Sequence, residues 1–440
     1  GSDEGFYPPI SDYLTINNIP CSTPFSKDNI PYDTDYIVIG KHAKLVPKEN
    51  EEVKYAFETG KKILSFPEVL AMLVENKLPV VVAGSYGKSS CTALMSWCLK
   101  QGHIDASYFI GAIPLTPTTN AHTGTEELFV IEGDEYPSSN WDMTSKFLHY
   151  KAHDVLLTAL AHDHVNIFKT HDDYIKPFME LINKLPEDDK LVVCVDDSKK
   201  KKKIKTITRP YITYGLTHGA LWYAKDISYG HTTTFTLMKG EQPITHLSTT
   251  LLGAHNIQNI VGVSALLLEK ELISIEDLTQ GVKTFKGIVR RLDKKSEKTT
   301  LPIYEGFGSS FDKARSAIEA IRLHFPTHNL VIIFEPHTFS WRNRQALPWY
   351  DTVFTGAKRV FIYKPPDHGA TTHEQLTLTE IASRVKQTGL ETQTFETVSQ
   401  GVSTIVSSLT KEDVVLILSS GGMDGLLDTL IPTIEQHFPQ

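Results

Sequence analysis

At 440 residues the chain exceeds what one hydrophobic core organises, so two or three domains are expected. A net charge of −8 argues against a nucleic-acid partner, and no apolar run reaches the length of a membrane span. Cys21, Cys91, Cys98 and Cys194 include no CxxC pair, which argues against disulfides and zinc. No signal-peptide pattern opens the chain, so a cytoplasmic location is expected.

The first block, residues 1–78, alternates a short strand at 36–39 with helical stretches at 50–59 and 67–75. Asp3 is the kind of acidic residue that a dinucleotide-type fold sets near a ribose. The strand and glycine loop that should precede it are not in the sequence, so this block reads as an N-terminally incomplete, partial Rossmann-like domain. Pro79 is expected to break the preceding helix, and Val80-Val81-Val82 then reads as a buried parallel strand.

The segment Gly84-Ser85-Tyr86-Gly87-Lys88-Ser89-Ser90 turns that strand into a helix rich in Ala, Leu, Met and Trp. A strand, a glycine turn and a helix start are what a phosphate-binding loop needs. Gly84 and Gly87 let the backbone N–H groups, Ser85 and Ser90 among them, curl around phosphate oxygens at the positive end of the helix. Lys88 can reach the β- and γ-phosphates, and the Ser89 hydroxyl can ligate Mg²⁺. The spacing is the shortened G-x-x-G-K-[ST]-[ST] form of the motif.

Two further strands are expected at 128–131 and 154–160. The first runs into Glu132, Asp134 and Glu135, the second into Asp163-His164, and both place polar groups at the strand ends where open α/β sheets bind ligands. A hard cation beside phosphates needs such carboxylates. Residues 191–252 read as an antiparallel annex, and the lysines at 199–203 as a solvated loop after a turn. Gly253 then leads a helix to about residue 268. Near its start, His255, Asn256 and Asn259 fit either local capping or contact with an adenine edge.

Arg290-Arg291 sits at the junction to the third block, where guanidinium groups fit either a surface pair or a clamp on a transferring phosphoryl group. That block alternates strands at 330–334, 359–363 and 413–418 with helices at 312–324 and 376–388, the pattern of a small Rossmann-like domain. Its glycine-rich turn, Gly421-Gly422, would let an extended ligand backbone approach, and Arg342 and Arg344 could pair with ligand carboxylates.

The motifs AGSYGKSS, EGDEY, Asp163-His164, GAHNIQN, FKGIVRRLD and FEPHTFSWRNR run in order over nearly the whole chain, and together resemble the Mur ligase family of ATP-dependent amide-bond-forming enzymes. The resemblance implies an α/β protein of three domains. Residues 1–78 would bind the UDP-sugar, residues 79–294 ATP, and residues 295–440 the incoming peptide. It implies Lys88 on the β/γ-phosphates, Ser89 and Glu132 on one Mg²⁺, and His164 on a second. Asn256 and Asn259 would face the adenine, and Arg291 the γ-phosphate. The implied partners are small molecules, with no nucleic acid or membrane, on a monomer or weak homodimer.

GSDEGFYPPIS, SKFLHY and LSSGGMDGLLDTL resemble the branch that joins the tripeptide L-alanyl-γ-D-glutamyl-meso-diaminopimelate to UDP-N-acetylmuramate, rather than the branch that takes L-alanine. The sequence departs from the family at 304–311, which has neither the histidines nor the proline of the D-[DF]-x-H-H-P pattern, and at Ala159 and Ala161. The rival from another class is a non-catalytic nucleotide- or muropeptide-binding protein that keeps the fold.

Overall fold

The computed structural model describes residues 1–6, 10–160, 167–196, 206–365 and 374–440. Among these, the strands form three sheets of two, ten and six strands. In the N-terminal domain β1 (Tyr36–Ile39) and β2 (Lys62–Ser65) pair in parallel. The helix Glu51–Glu58 starts where Asn50 Oδ1 accepts from the Val53 amide at 3.0 Å, and it buries Val53 and Ala56 against Ile39. Lys41 Nζ donates to the Ser139 carbonyl at 2.8 Å, and Asn140 Nδ2 donates to the carbonyls of His42 and Leu45 at 2.7 and 2.9 Å. These bonds tie the domain to the central one.

The central sheet takes in β3 (Leu78–Ala83), β4 (Ser107–Phe109), β5 (Ala121–His122), β6 (Leu128–Gly133), β7 (Asp154–Leu157), β8 (Leu191–Cys194), β9 (Ile212–Gly215), β10 (Trp222–Ser228), β11 (Thr233–Lys239) and β12 (Gln242–Thr249). Their order is β12-β11-β10-β9-β8-β7-β3-β6-β4-β5. Strands β3, β4 and β6 to β10 run parallel, while β5 and the hairpin of β11 and β12 are antiparallel to their neighbours.

Both faces of this sheet are covered, which is why its middle strands read as unbroken apolar runs. Val80 and Val82 pack with the helices Lys88–Gln101 and Ala254–Glu269; Val81 and Ala83, one residue out of phase, pack with Phe178 and Tyr174 of the helix His171–Lys184.

Two expectations change. Pro79 does not end a helix; it is the second residue of β3, and the preceding helix has already stopped at Leu73. The stretch 191–252 is antiparallel only in the hairpin of β11 and β12. Its strands continue the main sheet, and β8 and β9 are parallel members of it, because Leu191-Val192-Val193-Cys194 is apolar on both faces and needs cover on both. The lysines at 199–203 lie outside the described residues.

The third sheet has the order β13-β14-β18-β15-β16-β17, from β13 (Arg291–Lys294), β14 (Ile303–Phe307), β15 (Asn329–Phe334), β16 (Arg359–Tyr363), β17 (Glu391–Phe395) and β18 (Asp413–Ser419). All its pairings are parallel except that of the edge strand β13 with β14. The helices Phe311–His324 and Leu378–Gln387 cover one face; Val398–Ser408 and Leu426–His437 cover the other. Among the described residues no helix is long and apolar enough to cross a membrane.

Gly262 is where the helix Ala254–Glu269 crosses β9. A Cβ there would lie 2.6 Å from the Tyr214 ring, which is 1 % exposed and has no room to retreat. Replacing glycine in a helix gains less than about 1 kcal/mol of propensity, whereas overpacking a core costs about 1–3 kcal/mol. Gly262→Val is therefore expected to destabilise the central domain by about 2 kcal/mol, read as a lower urea midpoint with an unchanged slope.

Candidate active site

Strand β3 ends at Ala83, in register with Gly133 at the end of β6 and with Leu157 at the end of β7. The turn that follows β3 is therefore gripped from both sides. Gly84 (φ 132°) lies so close to β7 that a Cβ would fall 2.2 Å from Thr158 Oγ1 and 2.8 Å from the Ala159 carbonyl. The Ser85 amide donates to that carbonyl at 2.6 Å. Gly87 (φ 87°) caps the helix Lys88–Gln101, and a Cβ on it would meet Asn259 Oδ1 at 2.5 Å. Both glycines are thus required by backbone conformation and by close approach. Ser90 follows in the first helical turn, half-buried.

Lys88 Nζ donates to the Gly84 carbonyl at 2.6 Å and to Glu135 Oε2 at 2.8 Å. The Glu135 side chain is fully buried and that of Lys88 is 13 % exposed. A charge pair this enclosed is strong only when its remaining lone pairs are satisfied. Tyr174, from the first turns of the helix His171–Lys184, meets that need. Its hydroxyl lies 3.1 Å from Glu135 Oε1 and 2.8 Å from Ser85 Oγ. Tyr174 was not singled out from the sequence. At i, i+4 with Phe178 it reads as a core residue, and its hydroxyl carries no pattern of its own.

Beside this network Ser89 Oγ donates to Glu132 Oε1 at 3.0 Å, while Glu132 Oε2 accepts from the Gly111 amide at 2.8 Å. Among the described residues no group of three or more His, Cys, Asp or Glu side chains gathers into a metal site. A hydroxyl and a carboxylate held together do suit Mg²⁺, which binds proteins through one or two carboxylates and leaves positions for water and phosphate oxygens. Asp134 is engaged elsewhere, with Lys146 Nζ 2.7 Å from Oδ2 and the Tyr136 amide on Oδ1. His164 and its neighbour Asp163 lie outside the described residues.

The two junction arginines separate in role. Arg291 stands near enough to Glu132 for their charges to interact. Arg290 turns away, with Nε 3.1 Å from Glu305 Oε1 and Nη2 donating to the Gly421 carbonyl at 2.9 Å. His255 is exposed. Crowding of its ring by the protein, then the charges of Arg291 and His324, push its pKa down to about 4.

Asn256 Nδ2 donates to the Leu252 carbonyl at 2.8 Å, and Asn259 Nδ2 lies 3.5 Å from Asn256 Oδ1. Lys88, Ser89, Glu132 and Asn259 therefore meet at one loop.

The other residues expected to bind substrate, Asp3 beside a ribose and the rest at the peptide, have partners of their own. Asp3 is exposed and accepts from its neighbour's amide. Arg342 is 3 % exposed and donates to Gln375 Oε1 at 2.8 Å. Arg344 spends its guanidinium on Glu374 and Glu380, at 2.7 and 2.9 Å. Gly421 is glycine because a Cβ would sit 2.2 Å from His337 Nδ1 and 2.6 Å from Glu335 Oε2, so it is protein that occupies this space. Gly422 faces open space.

A glycine turn on a parallel strand, a lysine at the helix start and a serine–carboxylate pair on the adjacent strand define a nucleotide-binding protein of the phosphate-loop class. Comparison with known proteins narrows the class. The family description "Mur ligase middle domain" matches residues 82–267. The UDP-N-acetylmuramate–L-alanine ligase of Desulforapulum autotrophicum is 26% identical over 406 residues, 91% of this chain and 85% of its own length. Among solved structures, UDP-N-acetylmuramate–alanine ligase from Thermotoga maritima superimposes with a TM-score of 0.77 at 18% identity, covering 99% of this chain and 93% of that one. A murein peptide ligase from Psychrobacter arcticus gives 0.64 at 21% identity, with the same coverage. Over nearly its whole length the chain is thus similar to ATP-dependent Mur ligases, and its central part matches that family's middle domain.

Removing the Tyr174 hydroxyl leaves its ring packed but takes one hydrogen bond from a buried charge and one from the loop. Such bonds are worth about 1.5–3 and about 1 kcal/mol respectively. Tyr174→Phe is expected to weaken ATP binding about tenfold, measured by calorimetry, with little change in the thermal midpoint.

Proposed function

We propose that this chain activates the lactyl carboxylate of UDP-N-acetylmuramate with ATP and joins it to the free amine of a cell-wall tripeptide, L-alanyl-γ-D-glutamyl-meso-diaminopimelate. The observation that carries the reaction type is the meeting of Lys88, Ser89 and Glu132 at one glycine turn, with the charge of Arg291 in reach of Glu132. Carboxylate and triphosphate are both anions, and their encounter needs fixed positive charge. Lys88, already held by Gly84 and Glu135, keeps one of its three N–H donors for a phosphate oxygen. Arg291, reaching in from the edge strand of the third sheet, adds a second charge when the C-terminal domain is docked.

The carboxylate oxygen attacks the γ-phosphorus and ADP departs. The amine then attacks the resulting acyl carbon, inorganic phosphate leaves, and the amine's proton passes to solvent. Ser89 and Glu132 would hold Mg²⁺, which when bound supplies charge neutralisation at the phosphates. By the family resemblance His164 would hold a second ion. In this reading the N-terminal domain binds the UDP-sugar, the central domain ATP and the C-terminal domain the peptide. The protein is cytoplasmic and works as a monomer or weak homodimer.

The motifs at the two ends of the chain support a peptide acceptor, as does the open face of Gly422 beside the third sheet's strand ends. L-alanine is the second reading. It is favoured by the names of the curated relatives and by the higher TM-score with the Thermotoga enzyme.

Lys88→Ala is expected to lower kcat by at least about two orders of magnitude while the fold survives, the usual scale for losing a main electrostatic stabiliser. Phosphate release with UDP-N-acetylmuramate, ATP and the tripeptide measures it; a variant within threefold of wild type would remove Lys88 from the chemistry. The acceptor is decided by the same assay with L-alanine, L-alanyl-D-glutamate and the tripeptide. The tripeptide is expected to show the highest kcat/KM, and an L-alanine optimum would replace the peptide reading with the second one.

A further inference from the structure

The C-terminal domain meets the nucleotide side of the central domain through a histidine that the reaction does not use. His324, the last residue of the helix Phe311–His324, is 4 % exposed. Its Nε2 accepts from the Gly253 amide at 2.8 Å, and its Nδ1 lies 2.8 Å from the Gly230 carbonyl, with Thr233 Oγ1 at 3.5 Å. An amide can only donate and a carbonyl can only accept. The two partners therefore select the neutral ring with its proton on Nδ1. One imidazole thus joins the C-terminal domain both to the loop between β10 and β11 and to the residue that caps the helix Ala254–Glu269.

That capping residue belongs to a continuous chain of contacts. Leu252 is buried in the C-terminal domain's own core, with Ala317 and Ile321. Gly253 (φ 90°) lies so close to the same helix that a Cβ would fall 3.0 Å from Ala320 Cβ. The Leu252 carbonyl accepts from Asn256, Asn256 meets Asn259, and the Asn259 amide lies against Gly87 of the phosphate loop.

We propose that His324 is a positioning residue, coupling the docking of the C-terminal domain to nucleotide binding through Gly253 and the helix that carries Asn256 and Asn259. The proposal rests on the reading of this loop as the ATP site.

It carries a pH signature. Burial lowers the pKa of His324; the hydrogen bond to Gly230 opposes the shift and the nearby His231 adds to it. The other groups that face it are His255, whose charge it influences, and the Tyr229 ring, edge-on at 5.3 Å. Arg322 on its own helix is turned to the carbonyls of Phe325, Pro326 and His328. A protonated ring would present a donor to the Gly253 amide, so the docked state holds His324 neutral. Undocked, the ring returns toward the ordinary histidine pKa of about 6.5. As the pH falls through that value, the undocked form takes up the proton first and docking weakens; above it the full effect is present.

The experiment uses the full chain and two variants. His324→Gln offers one amide N–H and one carbonyl, the donor–acceptor pair of the neutral ring, without its titration. His324→Phe keeps the volume and loses both bonds. Two quantities are measured at pH 8 and pH 5.5: the Kd for a non-hydrolysable ATP analogue, and, without nucleotide, hydrogen exchange of the amides at 252–259.

At pH 8 His324→Phe should bind the analogue about tenfold more weakly and exchange faster at 252–259, the scale of two lost hydrogen bonds. His324→Gln should stay within about threefold of wild type at pH 8 and lose most of the wild-type weakening at pH 5.5. Wild-type affinity and exchange in His324→Phe would overturn the proposal, and so would an undiminished acid response in His324→Gln. If the wild-type chain bound no nucleotide, the ATP-site reading would fall, while exchange at 252–259 would still report whether His324 joins the domains.

Discussion

The central constraint of this molecule is that β3 is hydrogen-bonded on both sides by parallel strands. Ala83, Gly133 and Leu157 end three adjacent strands in register, so the three segments that follow leave the sheet side by side. A parallel sheet covered on both faces cannot slip by one residue without exposing Val80 and Val82 or Val81 and Ala83. Strand order and burial therefore set the distance between the phosphate loop and Glu132. The loop itself adds only two glycines and the contacts of Thr158 and Asn259 that make them necessary.

Upon that frame the protein buries a charge pair. Separating Lys88 and Glu135 from water costs several kcal/mol per ion, which their attraction offsets only when the remaining partners are in place. Gly84 on the lysine and Tyr174 on the carboxylate fill those places. The pair holds the ammonium at the start of the helix before any substrate arrives, so little of the binding energy of an incoming phosphate is spent on ordering a long side chain. Tyr174 is the first large side chain of the helix after β7, so the same hydroxyl joins two strand ends of the sheet.

Much of this was legible in the sequence, for reasons that differ by element. The β-branched run 80–82, the glycine spacing and the acidic residues after 128–131 have local signatures, because buried parallel strands and phosphate turns demand particular residues. The separation of Arg290 from Arg291 had none. Two adjacent arginines look alike until a positive φ at Arg290 (61°) turns one toward Glu305 and Gly421 and leaves the other near Glu132. Gly421 was legible as a glycine but not for its reason, which lies in the side chains of Glu335 and His337, far away in sequence. His324 ends an amphipathic helix and reads as one more polar residue at its terminus. Only the docking of two domains reveals what its ring nitrogens join.

The contact of Asn259 with Gly87 bears on how the chain is made as well as on what it binds. The loop and the helix that seats against it are separated along the chain by nine strands of the sheet, β4 to β12, which must all leave the ribosome before the two can meet. Chains fold roughly in the order in which they are synthesised, and contacts between distant residues form late because their loops must close first. Arg291 emerges later still. A nascent chain halted before residue 253 would present the glycine turn and its lysine without Asn259 and without the second positive charge. The glycine turn thus takes its final seat only once the helix Ala254–Glu269 has been made.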